Sequence, residues 1–272
     1  MALSNNATRV LVAIAAIPVV IGASYFGSIY FFLFTLFVAS IAFYEFSILA
    51  KNKGANVNIW LGILSIVLLL INQYNFFVSF LSIILLIVFI LSLVELFRNK
   101  DSAIINLGTT LLGIFYIGLF STALLGIREF YQDDLYNRGG YIIIAILATI
   151  WVCDSAAYYG GTALGKHKLF KRVSPNKSWE GAIFGFIFAI TTMILAKIII
   201  LNFLSWNTAI ALGFIVGIFG QIGDLIESLI KRDAGVKDSS AIIPGHGGIF
   251  DRFDSLLYTA PLIFLYLSFF ER

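Results

Sequence analysis

The chain has 272 residues, of which 60% are hydrophobic and 12% charged, with a mean hydropathy of +0.96. A water-soluble globular domain carries about 25% charged and about 45–50% apolar residues, so that class is excluded, as are disordered, collagen-like and coiled-coil chains. The net charge of +3 says little alone; where the cations fall says more.

In chain order, nine apolar stretches are expected to be helices crossing the membrane: 9–26, 28–50, 57–72, 76–97, 104–127, 139–160, 180–203, 207–230 and 255–271. Each is close to the length a helix rising about 1.5 Å per residue needs to span about 30 Å of hydrocarbon. Barrel strands would be near 10 residues with alternating polarity, which runs such as SIILLIVFILSLV lack. The expected fold is therefore an all-α polytopic integral membrane protein, a single transmembrane domain over 1–272 with no internal repeat. Only Arg9 precedes the first apolar stretch and a second follows at once, a pattern predicting a retained helix rather than a cleaved leader. The single cysteine, Cys153, excludes an internal disulfide and reads as a small packed hydrophobe.

Two connections are long, 161–179 and 231–254, and they hold half of the cations. Arg9, Lys51, Lys53, Arg98, Lys100, Lys166, Lys168, Lys171, Arg172, Lys177, Lys231, Arg232, Lys237 and Arg252 fall on the side of the N-terminus. Arg128, Arg138 and Arg272 fall on the other. Because cytoplasmic loops retain Lys and Arg, the N-terminus and both long loops are expected in the cytoplasm and the C-terminus outside. The basic residues serve topology and anions, and give no support to nucleic-acid binding.

Acidic side chains inside spans disfavour insertion by about 2.5–3.5 kcal/mol at a helix centre, so each calls for a reason. Glu45 and Glu95 lie near cytoplasmic ends carrying Lys51 and Arg98, which predicts interfacial ion pairs. Asp154 and Asp224 each lie about 9 Å inside the cytoplasmic mouth by helical rise, at one depth. Asp224, Glu227 and Lys231 share one helical stripe, a pattern of either an internal ion-pair network or a site.

The second long loop reads KRDAGVKDSSAIIPGHGGIFDRFD. Gly245, Gly247 and Gly248 let backbone N–H groups approach an anion, and Lys231, Arg232, Lys237 and Arg252 supply charge that phosphates seek. Carboxylates on either side, Asp224 and Asp251, are the ligand type Mg²⁺ prefers, whereas one Cys and two distant His exclude the usual structural zinc site. His246 has three roles open to it: general base, phosphate donor or nucleophile. His167, among lysines, reads as solvated. In the first loop, Ser174 and Pro175 read as N-cap and first residue of a helix, whose first turn adds Lys177 and Ser178 to an anion site.

The run from Ser228 to Asp254, with Lys231-Arg232, Lys237-Asp238 and Pro244-Gly245-His246-Gly247-Gly248-Ile249-Phe250-Asp251-Arg252-Phe253-Asp254, resembles the signature of the phosphatidate cytidylyltransferases, also called CDP-diacylglycerol synthases. Ser174–Gly181 is similar to that family's second motif, Ser-Pro-x-Lys-Ser/Thr-x-Glu-Gly. The resemblance implies synthesis of CDP-diacylglycerol and pyrophosphate from CTP and phosphatidate, with Mg²⁺ and a monovalent cation such as K⁺. It implies Asp224 and Asp251 as the metal-binding pair, with Asp154 and Asp254 in a supporting or ligand role; Glu227, on the stripe of Asp224, is a further supporting candidate. Lys177, Lys231, Arg232, Lys237 and Arg252 would serve phosphate groups, aided by Ser174, Ser178 and the glycines, with His246 a binder or positioner. It further implies a homodimer with its cavity open to the cytoplasm, and the compactness of the chain without a long soluble extension predicts a bacterial plasma membrane. Rival readings are a CTP-using lipid kinase and a secondary transporter, the latter disfavoured because the unusual residues crowd one membrane face rather than the midplane.

Overall fold

The computed structural model describes residues 5–243 and 247–271. Helices α1 (Asn5–Phe26), α2 (Ser28–Lys51), α3 (Ile59–Asn75) and α4 (Phe80–Arg98) follow one another. Helices α5 (Ala103–Gly113) and α6 (Phe120–Arg128) form one rod through a π-helical turn at Ile114–Leu119. After α7 (Asn137–Leu164) comes a two-stranded hairpin, β1 (Lys168–Phe170) and β2 (Ser174–Ser178), and then α8 (Trp179–Ile199). Helices α9 (Trp206–Ile215) and α10 (Gln221–Asp233) again form one rod through a π-helical turn, Val216–Gly220, before α11 (Phe250–Phe270).

Each of the nine expected stretches is one helical rod. Among the described residues, seven are long and apolar enough to cross a membrane: Ser28–Lys51, Phe80–Arg98, Ala103–Arg128, Asp133–Leu164, Trp179–Ile199, Trp206–Asp233 and Phe250–Phe270. The apolar helices Ile14–Phe26 and Ile59–Asn75 are shorter. The fold is that of a helical, polytopic membrane protein. Local chemistry starts several of these rods: the side chains of Asn58, Ser79, Ser102, Ser178 and Ser205 each accept the amide of the residue three further on, filling one of the orphan N–H groups of a helix start.

One expected start is corrected. Ser174 and Pro175 do not open a helix; residues Ser174–Ser178 are a strand paired antiparallel with Lys168–Phe170, and Ser178 is the N-cap of α8, accepting from Gly181 N at 3.2 Å. Proline lacks the amide a helix interior needs but is tolerated at a sheet edge, and the preceding basic segment supplies a strand partner. Trp179 N–H then closes onto His167 O at 2.9 Å.

The helices form two compact units. The first comprises residues 1–23, 28–126 and 230–253. Its interior is built around Phe43 and Phe46 of α2, which lie so close to Gly62 of α3 and Gly113 of α5 that a Cβ at either glycine would overlap a ring. The second comprises residues 24–27, 127–229 and 254–272. There α7 and α8 cross with backbones touching: a Cβ at Gly181 would lie 2.6 Å from Ala157 O, and one at Gly185 would lie 3.0 Å from Cys153 O. Small residues at a crossing allow this close van der Waals approach between helices in lipid.

Candidate active site

In the first unit, the segment that follows α10 wraps around two carboxylates. Glu45 of α2 is fully buried. Its Oε1 accepts from Ser240 Oγ at 2.5 Å and Ile249 N at 3.0 Å; its Oε2 accepts from Ser239 Oγ at 3.1 Å and Phe250 N at 2.7 Å. The expected pairing of Glu45 with Lys51 is thus corrected: a buried carboxylate needs several donors at once, and the loop offers two hydroxyls and two amides. Glu95, by contrast, does pair with Arg98 at 2.8 Å and also accepts from Asn106 Nδ2 at 2.7 Å.

Asp251, in the first turn of α11, is the second carboxylate. Its Oδ2 accepts from Ser239 N at 2.9 Å, Ser239 Oγ at 2.8 Å and Gly248 N at 2.7 Å, while Lys231 Nζ lies 2.5 Å from Oδ1. The glycines make this approach possible. Gly247 has φ +81°, and a Cβ there would lie 2.6 Å from Asp251 Oδ2; a Cβ at Gly248 would meet Ser239 Oγ and Glu45 Oε1 at 2.0 and 2.5 Å. Of the glycine amides expected to meet an anion, that of Gly248 donates to the protein's own Asp251. Arg232 donates to Val236 O at 3.0 Å at the end of α10, and Lys237 and Arg252 are exposed. Gly245 and His246 lie outside the described residues.

In the second unit, β2 delivers Lys177 to α10. Lys177 Nζ is 2.5 Å from Asp224 Oδ2, with the two side chains 30% and 34% exposed. Asp224 Oδ1 accepts from Ser228 Oγ at 3.3 Å. Asp254, buried at the start of α11, lies within electrostatic reach of Asp224, Asp154 and Lys177. Asp154 is exposed and Glu227 fully buried. Ser174 is half-buried at the start of β2, and Ser178 is spent on the α8 cap. His167 is exposed, yet its Nδ1 is 2.6 Å from Glu180 Oε1, and its backbone N–H donates to the same carboxylate at 3.2 Å.

Among the described residues, no three His, Cys, Asp or Glu side chains converge into a ready-made metal cage. A magnesium ion asks for less, since it keeps several waters and takes about one or two carboxylates plus substrate phosphates. Each unit holds an aspartate with a lysine ammonium 2.5 Å from one oxygen. A hard cation seeks the same place on a carboxylate, so Asp224 and Asp251 are donors of the right kind.

Sequence reasoning missed Glu45, Ser239 and Ser240 as parts of the site. The signal for Glu45 was present, because an ionisable residue inside a span reads as functional by default. Its partners, 194 to 205 residues away, lie in the loop already singled out, but nothing in the sequence paired them with Glu45.

Comparison with known proteins places these clusters in a family. The model of the cytidylyltransferase family matches residues 7–270. The phosphatidate cytidylyltransferase of Bacillus subtilis (strain 168) is 32% identical over 268 residues, covering 97% of this chain and 98% of that protein. That of Brucella melitensis is 32% identical over 275 residues, covering 99% and 96%, and that of Staphylococcus aureus (strain COL) is 33% identical over 261 residues, covering 94% and 96%. Related from end to end to such proteins and matched by the family model over both units, the chain belongs to the cytidylyltransferase family.

Proposed function

We infer that this chain transfers the cytidylyl group of CTP to phosphatidate, giving CDP-diacylglycerol and pyrophosphate. The observation that carries the reading is the full-length relationship to proteins named for that reaction, in a chain whose helices suit the bilayer that holds a lipid substrate. A phosphatidate oxygen attacks the α-phosphorus of CTP, the bond from that phosphorus to the bridging oxygen breaks, and pyrophosphate leaves in line. The nucleophile is already an anion near neutral pH, so no strong general base is required. His246 then serves to bind or position phosphate.

Lys177 and Lys231 are assigned to the phosphates. Each now neutralises an aspartate, and each is placed to share the charge that develops on the leaving pyrophosphate, a form of stabilisation that acts chiefly in the transition state. The exposed Arg232, Lys237 and Arg252 draw the CTP triphosphate, with Ser174 and Ser178 beside Lys177. Asp224 and Asp251 would hold Mg²⁺, with Asp154, Glu227 and Asp254 as supporting carboxylates. When bound, the ion would polarise the α-phosphate and neutralise charge on the leaving group. We place the site on the cytoplasmic face of a bacterial plasma membrane, where CTP is dissolved, in a homodimer, with K⁺ as an accessory ion.

The test is formation of labelled CDP-lipid from α-labelled CTP and phosphatidate by the purified protein, with and without Mg²⁺. Product that requires Mg²⁺ and falls by about 100-fold or more in Asp224→Asn, as loss of a charge-stabilising group does, supports reaction and site together. A wild-type rate in Asp224→Asn removes the metal assignment. Labelled CDP with a phosphorylated lipid would instead identify a lipid kinase.

A further inference from the structure

Helix α11 starts after a residue that cannot cap it with its side chain. The residue before it is Ile249, whose side chain has no oxygen, and the amides of Ile249 and Phe250 belong to the set that a helix start leaves without intrahelical partners. They are taken by Glu45, which comes from α2 and is separated from them by 204 and 205 residues of chain. Each oxygen of Glu45 accepts one of these amides and one serine hydroxyl. The serine on the Oε2 side, Ser239, also reaches Asp251: its Oγ lies 3.1 Å from Glu45 Oε2 and 2.8 Å from Asp251 Oδ2, so that its one hydroxyl proton is shared between the two carboxylates, and its amide donates to the same Asp251 oxygen. Gly248 lies against both, donating its amide to Asp251 while its lack of a Cβ admits Glu45.

We propose that Glu45 is a positioning residue for Asp251, acting through Ser239 and the amides of residues 248–250. Its carboxylate pulls the start of α11 and the loop serines to one point. That convergence fixes Asp251 Oδ2 and turns Oδ1 toward Lys231, the edge at which a metal would bind. The proposal rests on the cytidylyl-transfer reading for Asp251 and goes beyond it. Glu45 lies outside both motifs that carry the family resemblance, and its role is to orient a ligand, not to touch substrate. Residues that hold a metal ligand in place typically cost about 10–100-fold in metal affinity or activity when changed.

The variants are Glu45→Gln, Ser239→Ala and Ser239→Thr in the full-length protein in detergent, with Asp251→Asn as reference. Glu45→Gln keeps the side chain's size but turns a donor toward groups that are themselves donors. Two readouts need no turnover: hydrogen exchange of the amides of residues 248–250 in metal-free protein, and Mn²⁺ affinity by paramagnetic resonance titration. We expect Glu45→Gln to speed exchange at these amides and to weaken Mn²⁺ binding and kcat by about 10–100-fold, with KM for phosphatidate unchanged. Ser239→Ala should do the same, Ser239→Thr should restore most of the loss by returning the hydroxyl, and Glu45→Gln with Ser239→Ala should be no worse than the poorer single variant, because the two act as one link. Faster exchange with unchanged Mn²⁺ affinity would confine Glu45 to holding the loop and overturn the proposal. So would wild-type exchange and affinity in Ser239→Ala, which keeps the proposal open to refutation even if Glu45→Gln does not fold. Failure of the cytidylyl-transfer reading is distinguishable: wild-type protein would then make no CDP-lipid, whatever Glu45 does to Mn²⁺ binding.

Discussion

Arg128 and Glu45 are both fully buried ions, and the hydrogen bonds each makes explain how it is tolerated. Arg128 donates Nε to Ser24 O at 2.6 Å, Nη2 to Tyr25 O at 3.0 Å and Nη1 to Tyr136 O at 3.2 Å, and its guanidinium lies 4.3 Å from the Tyr136 ring centre. Ser24 and Tyr25 are in the last turn of α1, whose carbonyls lack intrahelical donors and whose dipole favours a cation. The expectation of Arg128 as a mere marker of the outer membrane face was therefore too small a role. Lysine carries a point charge, not a fork, and cannot serve three divergent carbonyls. Arg128→Lys should lower stability by about 2–3 kcal/mol, the worth of a lost charge-assisted hydrogen bond, seen as a lower melting temperature in detergent. Activity per folded molecule should be unchanged. An unaltered melting temperature would show that the carbonyls are satisfied without the guanidinium.

At the scale of elements, the two interrupted rods share a device. Each π-helical turn leaves a glycine carbonyl that is bonded by a side chain four residues on: Thr122 Oγ donates to Gly118 O at 2.8 Å, and Gln221 Nε2 donates to Gly217 O at 2.6 Å. A π turn inserts a residue into the helical repeat and often accompanies functional sites; here one lies a turn before Asp224 and so sets where that side chain points. Hydropathy cannot reveal it, because apolar residues on either side read the same with or without the insertion. The glycine seam between α7 and α8 positions Lys177, since α8 follows β2 directly. Gly181→Ala would press a Cβ against Ala157 O and the Gly161 backbone, which cannot swing aside. Overpacking of that kind costs about 1–3 kcal/mol, and we expect a lower melting temperature with a raised KM for CTP as β2 is pushed outward. A variant with wild-type melting and kinetics would mean that the seam can open without consequence.

For the whole molecule, α10 and α11 each contribute to both compact units, with Asp224 in one and Lys231 and Asp251 in the other. The family match over residues 7–270 covers both. The cations predict an orientation in the membrane, and that expectation has a direct check. Lys168→Cys in a Cys153→Ser background places one thiol on the exposed hairpin, because the native cysteine is buried. An impermeant maleimide should label it in inside-out vesicles and leave it unmodified in intact cells. Labelling of intact cells would invert the topology and take the proposed site away from cytoplasmic CTP.

Much of this molecule was legible before any coordinates. The helical class, the nine helical stretches and the two motifs are properties of contiguous residues: the transfer free energy of about 20 side chains adds along a window, and a motif is read in place. The Glu95–Arg98 pair was legible for the same reason, its members being one turn apart. What only the tertiary structure decided is who meets whom. Lys177 finds Asp224 across 47 residues, Lys231 finds Asp251 across 20, and Glu45 finds the start of α11 across more than 200. The strand at Ser174–Ser178 was likewise decided by a partner strand and not by its own Ser-Pro start. A buried carboxylate requires donors, and sequence announces that requirement; packing alone selects which donors, because many loops of equal composition would meet the same energetic demand.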